Sequence, residues 1–178
     1  MNLFSEEAVN RDPEIPGLTY ISDYFSAADE QALLSEIDCQ TWQTDLKRRV
    51  QHYGYKYDYK VRGVVQDAYL GPLPSWLSDL CRRLYQEKIF QVVPDQVIVN
   101  EYVPGQGISA HIDCIPCFGS TIASLSLGSA YIMEFFHPRS GAKREVLLAS
   151  RSLVVLCGSA RYEWMHTIPA RKSDMIHG

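Results

Sequence analysis

No run of apolar residues in this chain approaches the roughly 18 that a membrane-crossing helix needs, so no membrane partner is expected. Residues 1–14, MNLFSEEAVNRDPE, are acidic and lack the basic and apolar regions of a secretory signal. The expected compartment is therefore cytoplasmic, or nuclear for a eukaryotic source. Positive charge is also short: 17 Lys and Arg face 21 Asp and Glu, a formal net charge of −4. That balance excludes binding to nucleic acid through the field of the whole molecule, but not through a local basic patch. The five cysteines, Cys39, Cys81, Cys114, Cys117 and Cys157, are odd in number and scattered, and reduced thiols are expected. Cys114-Ile115-Pro116-Cys117 has no second Cys-x-x-Cys to complete a zinc site and no βαβ setting for a redox motif, so it reads as a plain loop.

The composition that remains, 46% apolar and 21% charged, is that of a soluble globular chain, and 178 residues suit one domain, 1–178, expected as a monomer. There is no internal repeat and no low-complexity segment. Residues 1–17 carry Pro13, Pro16 and Gly17 and read as an irregular lead-in, followed by a short strand at 18–21. Ser26 caps a helix, with Asp29 three residues on as in a capping box and Leu33, Leu34 and Ile37 as its apolar stripe. A second helix opens at Pro74, with the stripe Trp76/Leu77, Leu80/Cys81 and Leu84/Tyr85. Beyond about 95 the texture changes to short β-branched and aromatic runs separated by glycine and proline. The runs are 96–102, 108–113, 121–127, 130–136, 145–148, 152–156 and 162–168. Seven strands at this spacing suggest a sandwich or barrel, and the two helices in front make the class α+β.

His111 and Asp113 are two apart on one predicted strand, so their side chains leave the same face. His166 lies 53 residues beyond Asp113 on another predicted strand. Two imidazoles and a carboxylate on a rigid sheet can take one face of an octahedron and leave positions open for a cosubstrate and O2, the donor set of non-haem Fe(II) oxygenases. His-x-Asp with a distant histidine is weak alone, because such triples arise by chance. No Ser-His-Asp arrangement competes with it.

Context sharpens the reading. Asn100-Glu101-Tyr102-Val103-Pro104-Gly105 precedes His111-Ile112-Asp113. Ile122-Ala123-Ser124-Leu125-Ser126-Leu127-Gly128, Arg151-Ser152-Leu153 and Gly158-Ser159-Ala160-Arg161-Tyr162 follow in order before His166. Over residues 18–170 this series resembles the AlkB family of Fe(II)- and 2-oxoglutarate-dependent oxygenases. The resemblance implies a double-stranded β-helix (jelly-roll) core at about 95–170, with N-terminal helices packed on one sheet. It implies Fe(II), 2-oxoglutarate and O2 as cofactors, with the metal held by His111, Asp113 and His166. It also implies that Asn100 and Tyr102 contact 2-oxoglutarate and that Ser124 lies beside it. A turn-former and a core aromatic are the plain alternative for Asn100 and Tyr102.

Residues 47–62, KRRVQHYGYKYDYKVR, carry Lys47, Arg48, Arg49, Lys56, Lys60 and Arg62 against Asp58, with Tyr53, Tyr55, Tyr57 and Tyr59 interleaved. Cations can meet phosphates while tyrosine faces stack on a single-stranded or flipped base. In the family this region, here 43–65, forms a nucleotide-recognition lid, which makes Arg48, Arg49, Tyr53, Tyr55 and Tyr57 candidate substrate contacts. An amphipathic edge hairpin is the alternative. The family also anchors the far carboxylate of 2-oxoglutarate with an arginine on a strand beyond the distal histidine. This chain ends twelve residues after His166, so that C-terminal strand is expected to be missing. Arg171 is then the nearest cation for a dianion that needs one, with Arg161 the next choice.

The activity implied is oxidative dealkylation or hydroxylation of bases in nucleic acid, as in alkylation repair. On an N-methylated base, hydroxylation gives a hemiaminal that expels formaldehyde. Two alternatives keep the chemistry, a tRNA wobble-uridine hydroxylase, which the IASLSLGS and QHYGYKYDY segments resemble, and a protein hydroxylase. A catalytically silent jelly-roll binding module is the alternative of another class.

Overall fold

The computed structural model describes residues 9–11, 14–44, 46–59, 61, 63 and 68–173. Asp45, Lys60, Arg62 and positions 64–65 of the expected lid lie outside the described residues, as does the tail from Asp174. Among the described residues the order is β1 (Val9–Arg11), β2 (Leu18–Ile21), α1 (Ala27–Asp38), β3 (Arg49–Tyr53), α2 (Ser75–Gln86), β4 (Val97–Glu101), β5 (Ile108–His111), β6 (Ile122–Leu125), β7 (Tyr131–Phe136), β8 (Lys143–Leu148), β9 (Leu153–Leu156), α3 (Gly158–Tyr162) and β10 (Met165–Ile168). The class is α+β, and each of the seven strand segments read beyond residue 95 contains a strand, with bounds shifted by up to three residues.

The expected capping box forms. The Ser26 hydroxyl accepts from the Asp29 N–H at 3.1 Å, while the Ser26 N–H and hydroxyl donate to the Asp29 carboxylate at 3.1 and 2.8 Å. Two otherwise orphaned N–H groups at the start of α1 are thereby satisfied, and Leu33 and Ile37 turn inward one helical turn apart. In α2, Leu77, Cys81 and Leu84 are buried at the spacing of one helix face.

The chain forms two compact units, one of residues 1–34 with 103–178 and the other of residues 35–102. The first unit holds two four-stranded antiparallel sheets, in the orders β1-β2-β9-β6 and β5-β10-β7-β8. Leu18, Val154 and Leu156 from one sheet share a single core with Met133, Phe135 and Leu148 from the other, closed by Ile15, Ala160 and Trp164. Burying each large apolar side chain there contributes about 1.5–3 kcal/mol, which makes this sandwich the rigid body of the unit. All four residues of β9 are buried, as suits a strand between two neighbours in a covered sheet. Glu30 of α1 is tied to two turns of this unit, accepting from the Gly128 N–H at 2.7 Å and the Ser150 hydroxyl at 2.6 Å. Those two bonds, with Arg151 beside them, hold its carboxyl below the ordinary value against the opposing effect of burial. The second unit contains α2 and the antiparallel pair β3-β4.

Three features depart from the sequence reading. The lead-in contains β1, paired with β2. The strand read from Tyr162 starts only at Met165, and Tyr162 itself closes a one-turn helix, α3, too short for a periodicity to register. The strand read as 108–113 ends at His111.

Candidate metal centre

His111 closes β5, and His166 sits directly opposite it on β10, with ring centroids 4.4 Å apart. This pairing depends on a close approach of backbones. A Cβ on Gly107 would stand 2.2 Å from the Ile168 carbonyl oxygen and 2.9 Å from the Ala170 nitrogen, so only glycine lets β5 start this near β10. Asp113 lies beyond the strand. Its carboxylate oxygens are 3.7 Å from His111 Nε2 and 3.8 Å from His166 Nε2. One donor atom from each of the three residues lies within 4.8 Å of the others. The triad read from the sequence therefore converges, but Asp113 arrives by a loop and not by the strand face expected of it.

The protonation of the three groups suits a metal. His111 Nδ1 is 2.7 Å from the Ser109 carbonyl oxygen, which can only accept, so Nδ1 carries a proton and the neutral ring holds its lone pair on Nε2. Burial brings the His166 imidazole down to about 4; Asp113 opposes this, while His111 and Arg161 add to it. His166 is accordingly neutral at physiological pH. Burial raises the Asp113 carboxyl, but in acid, where the rings are protonated, the hydrogen bond from His111 and the charges of His166, His111 and Arg161 outweigh it and leave it below its ordinary value. Two imidazoles, each with a nitrogen to offer, and a carboxylate are the ligand set that Fe(II) takes with coordination positions left open. The residues present fit that ion.

The loop after Asp113 is held from outside. Arg161, 1% exposed, donates from Nη1 to the Asp113 carbonyl at 2.9 Å, from Nη2 to that of Cys114 at 3.3 Å and from Nε to that of Gly119 at 3.3 Å. Its guanidinium thus serves the backbone of this loop. Cys114 and Cys117 form a disulfide across the turn, with Cα atoms 5.3 Å apart, which corrects the expectation of reduced thiols for this pair; Cys39, Cys81 and Cys157 are free. The Cys117 and Phe118 N–H groups both donate to the Cys114 carbonyl, and that single helical turn brings the two cysteines together.

The other expected site residues are placed as follows. Ser124 lies on β6, in the sheet that does not carry the triad, and hydrogen-bonds Tyr131, whose hydroxyl burial pushes up. Arg171 is in the first unit, where its guanidinium meets Glu134 at 3.3 Å and its carbonyl accepts from the Gly105 N–H at 3.0 Å. Asn100 and Tyr102 belong to the second unit. There Arg48, 9% exposed, donates from Nε to Asn100 Oδ1 at 2.7 Å and lies over the rings of Tyr59 at 5.2 Å and Tyr102 at 5.7 Å. Because that nitrogen is a donor only, the Asn100 amide oxygen faces Arg48 and its NH2 group faces away. Arg49 makes a two-pronged pair with Glu101, both contacts 2.6 Å, and covers the Trp42 ring at 4.4 Å. The Tyr53 hydroxyl donates to Gln51 Oε1, and its ring meets Trp76 edge-on. Tyr55 packs on Tyr69, and Tyr57 on Tyr59. Sequence reasoning missed Gly107 and the backbone role of Arg161. The glycine carries a signal, since it opens the strand that bears a ligand, but the arginine carries none.

Comparison with known proteins agrees with this geometry. The family model of the 2OG-Fe(II) oxygenase superfamily matches residues 17–177. The tRNA (carboxymethyluridine(34)-5-O)-methyltransferase ALKBH8 of Mus musculus is 41% identical over 169 residues, covering 90% of this chain and 25% of its own length. The alkylated DNA repair protein ALKBH8 homolog of Arabidopsis thaliana is 38% identical over 190 residues, covering 94% of this chain and 55% of its own. This chain thus spans about a quarter to a half of the length of these relatives. The solved structure of OsALKBH1 has the same fold, with a TM-score of 0.70 at 17% identity over 91% of this chain and 87% of that one. The chain belongs to the 2OG-Fe(II) oxygenase superfamily, and within it is AlkB-like.

Proposed function

We propose that this chain is an Fe(II)- and 2-oxoglutarate-dependent dioxygenase that oxidatively dealkylates or hydroxylates bases in nucleic acid. The observation that carries the reading is the convergence of His111, Asp113 and His166, one donor atom of each within 4.8 Å of the others, in a chain of this superfamily. When bound, Fe(II) with 2-oxoglutarate and O2 supplies the oxidising power that places one oxygen atom in a substrate C–H bond while 2-oxoglutarate becomes succinate and CO2. The protein's part is orientation: the Ser109 carbonyl fixes the tautomer of His111, burial keeps His166 neutral, and Arg161 holds the backbone of Asp113. Asn100, Tyr102, Ser124 and Arg171 are proposed contacts of 2-oxoglutarate, and Arg48, Arg49, Tyr53, Tyr55 and Tyr57 of the substrate, on the strength of the family resemblance. The finer fold reading, a double-stranded β-helix with N-terminal helices packed on one sheet, is supported for α1 by the Glu30 bonds to Gly128 and Ser150. A cytoplasmic or nuclear location accords with a nucleic-acid substrate. No helix among the described residues is long and apolar enough to cross a membrane.

A second reading, hydroxylation of a modified wobble uridine in tRNA, is favoured by the 41% identity to a protein named for a uridine at tRNA position 34. One experiment addresses both: mass spectrometry of alkylated oligonucleotides and of tRNA after incubation with iron and 2-oxoglutarate. Loss of a methyl mass from the oligonucleotides supports repair, and a gain of one oxygen on tRNA supports the second reading. Neither change, with succinate unformed, contradicts the oxygenase assignment.

A further inference from the structure

A buried guanidinium is costly unless its donors are satisfied, and here all three of its nitrogens donate to backbone carbonyls between Asp113 and Gly119. That stretch begins at a metal ligand and lies outside the β-ladder, since β5 ends at His111. Nothing in strand pairing therefore sets the Asp113 carboxylate. Arg161 sits on α3, five residues before His166 on β10. One continuous piece of chain thus carries a histidine ligand and the hook that holds the carboxylate ligand, while His111 is the register partner of that same histidine. The planar fork of arginine matters for this, because it fixes three acceptors together as an ammonium on a flexible stem cannot.

We propose that Arg161 is a positioning residue of the metal centre, holding Asp113 against His111 and His166 by gathering the carbonyls of Asp113, Cys114 and Gly119. The inference rests on the metal reading proposed above and deepens it. Partners that orient ligands in this indirect way are typically worth about 10–100-fold in metal affinity. A residue that served folding alone would lower the melting temperature and leave the metal affinity of folded protein unchanged.

The test is titration of the full chain with Co(II), following the ligand-field absorption, at a temperature well below the melting point of each variant. Arg161→Met is expected to raise the Kd by about 10–100-fold and to change the shape of the saturated spectrum, since coordination geometry sets the ligand-field bands. Arg161→Lys, which keeps the charge but loses the fork, is expected to fall between Met and wild type. A rise of threefold or more in a folded variant supports the proposal. A smaller change with a superimposable spectrum overturns it, whatever the melting temperature does. If Arg161→Met does not fold, the same threshold applied to Arg161→Lys decides the matter. Asp113→Ala separates the two levels of the argument. If it binds Co(II) like wild type, the metal reading itself fails and this inference falls with it. If Asp113→Ala loses Co(II) while both Arg161 variants keep it, only the role of Arg161 is wrong.

Discussion

The two groups of chemically capable residues in this protein stand in opposite states. His111, Asp113 and His166 have donor atoms turned toward one another, each held from behind by a Ser109 carbonyl, by burial or by Arg161. Arg48, Arg49, Tyr53 and Tyr55 already have partners inside their own unit: Asn100, Glu101, Gln51 and Tyr69. The first arrangement is preorganised for a cation, with its donors facing one another. The second can meet a phosphate or a base only by exchanging existing contacts, so its share of binding should be smaller and more dependent on salt. Orienting contacts behind a donor prepare a site, whereas contacts at the donor itself must be given up.

The sharpest way to break this contrast is at the preorganised end. Asp113→Ala should reduce turnover to background while leaving the melting temperature within a few degrees, because a ligand to an ion contributes little to the fold without it. Next in size, Gly107→Ala forces a methyl against the Ile168 carbonyl oxygen and should cost about 2–3 kcal/mol in denaturant unfolding. It should also weaken metal binding, because β5 and β10 carry the two histidines. At the pre-paired end, Arg48→Ala with Arg49→Ala should lower the salt slope of oligonucleotide binding by less than the value of about two expected for two unencumbered phosphate contacts. Glu101→Gln, which releases Arg49 from its carboxylate, should tighten binding a few-fold and steepen that slope. A full drop of two in the double variant, with no effect of Glu101→Gln, would erase the contrast. The smallest effect concerns acid stability. The Glu30 carboxyl is depressed in the fold from its ordinary 4.5, so its contribution is complete above that pH and is lost as pH falls through the lower folded value. Glu30→Gln should therefore be less stable than wild type at neutral pH, with the gap narrowing below about pH 4 in acid titrations followed by circular dichroism.

Much of this was legible in the chain, for identifiable reasons. The Ser26/Asp29 box and the Leu77, Cys81 and Leu84 stripe are local patterns that tertiary structure did not need to override. The seven strand segments after residue 95 were bracketed by glycine and proline, and the structure shifted only their bounds, β8 starting two residues earlier than read and β10 three later. The triad was legible as residue types. Its geometry was less so: Pro116, with no N–H, and the Cys114–Cys117 turn follow too soon for β5 to continue through Asp113. The hook on that loop comes from Arg161, 48 residues away, and a buried arginine bonded to carbonyls leaves no periodic trace. In the basic segment, counting Arg48 and Arg49 as cations could not reveal Asn100 and Glu101 across the β3-β4 ladder, because cross-strand partners follow from register.

The central claim, that His111, Asp113 and His166 form one metal centre, is tested most directly by equilibrium titration with Mn(II), read by electron paramagnetic resonance of the free ion. The account predicts one ion bound per chain by the wild-type protein, with binding lost in each of His111→Ala, Asp113→Ala and His166→Ala while circular dichroism stays native. Binding that survives any one of these substitutions at wild-type strength, or wild-type protein that takes up no ion, would contradict it.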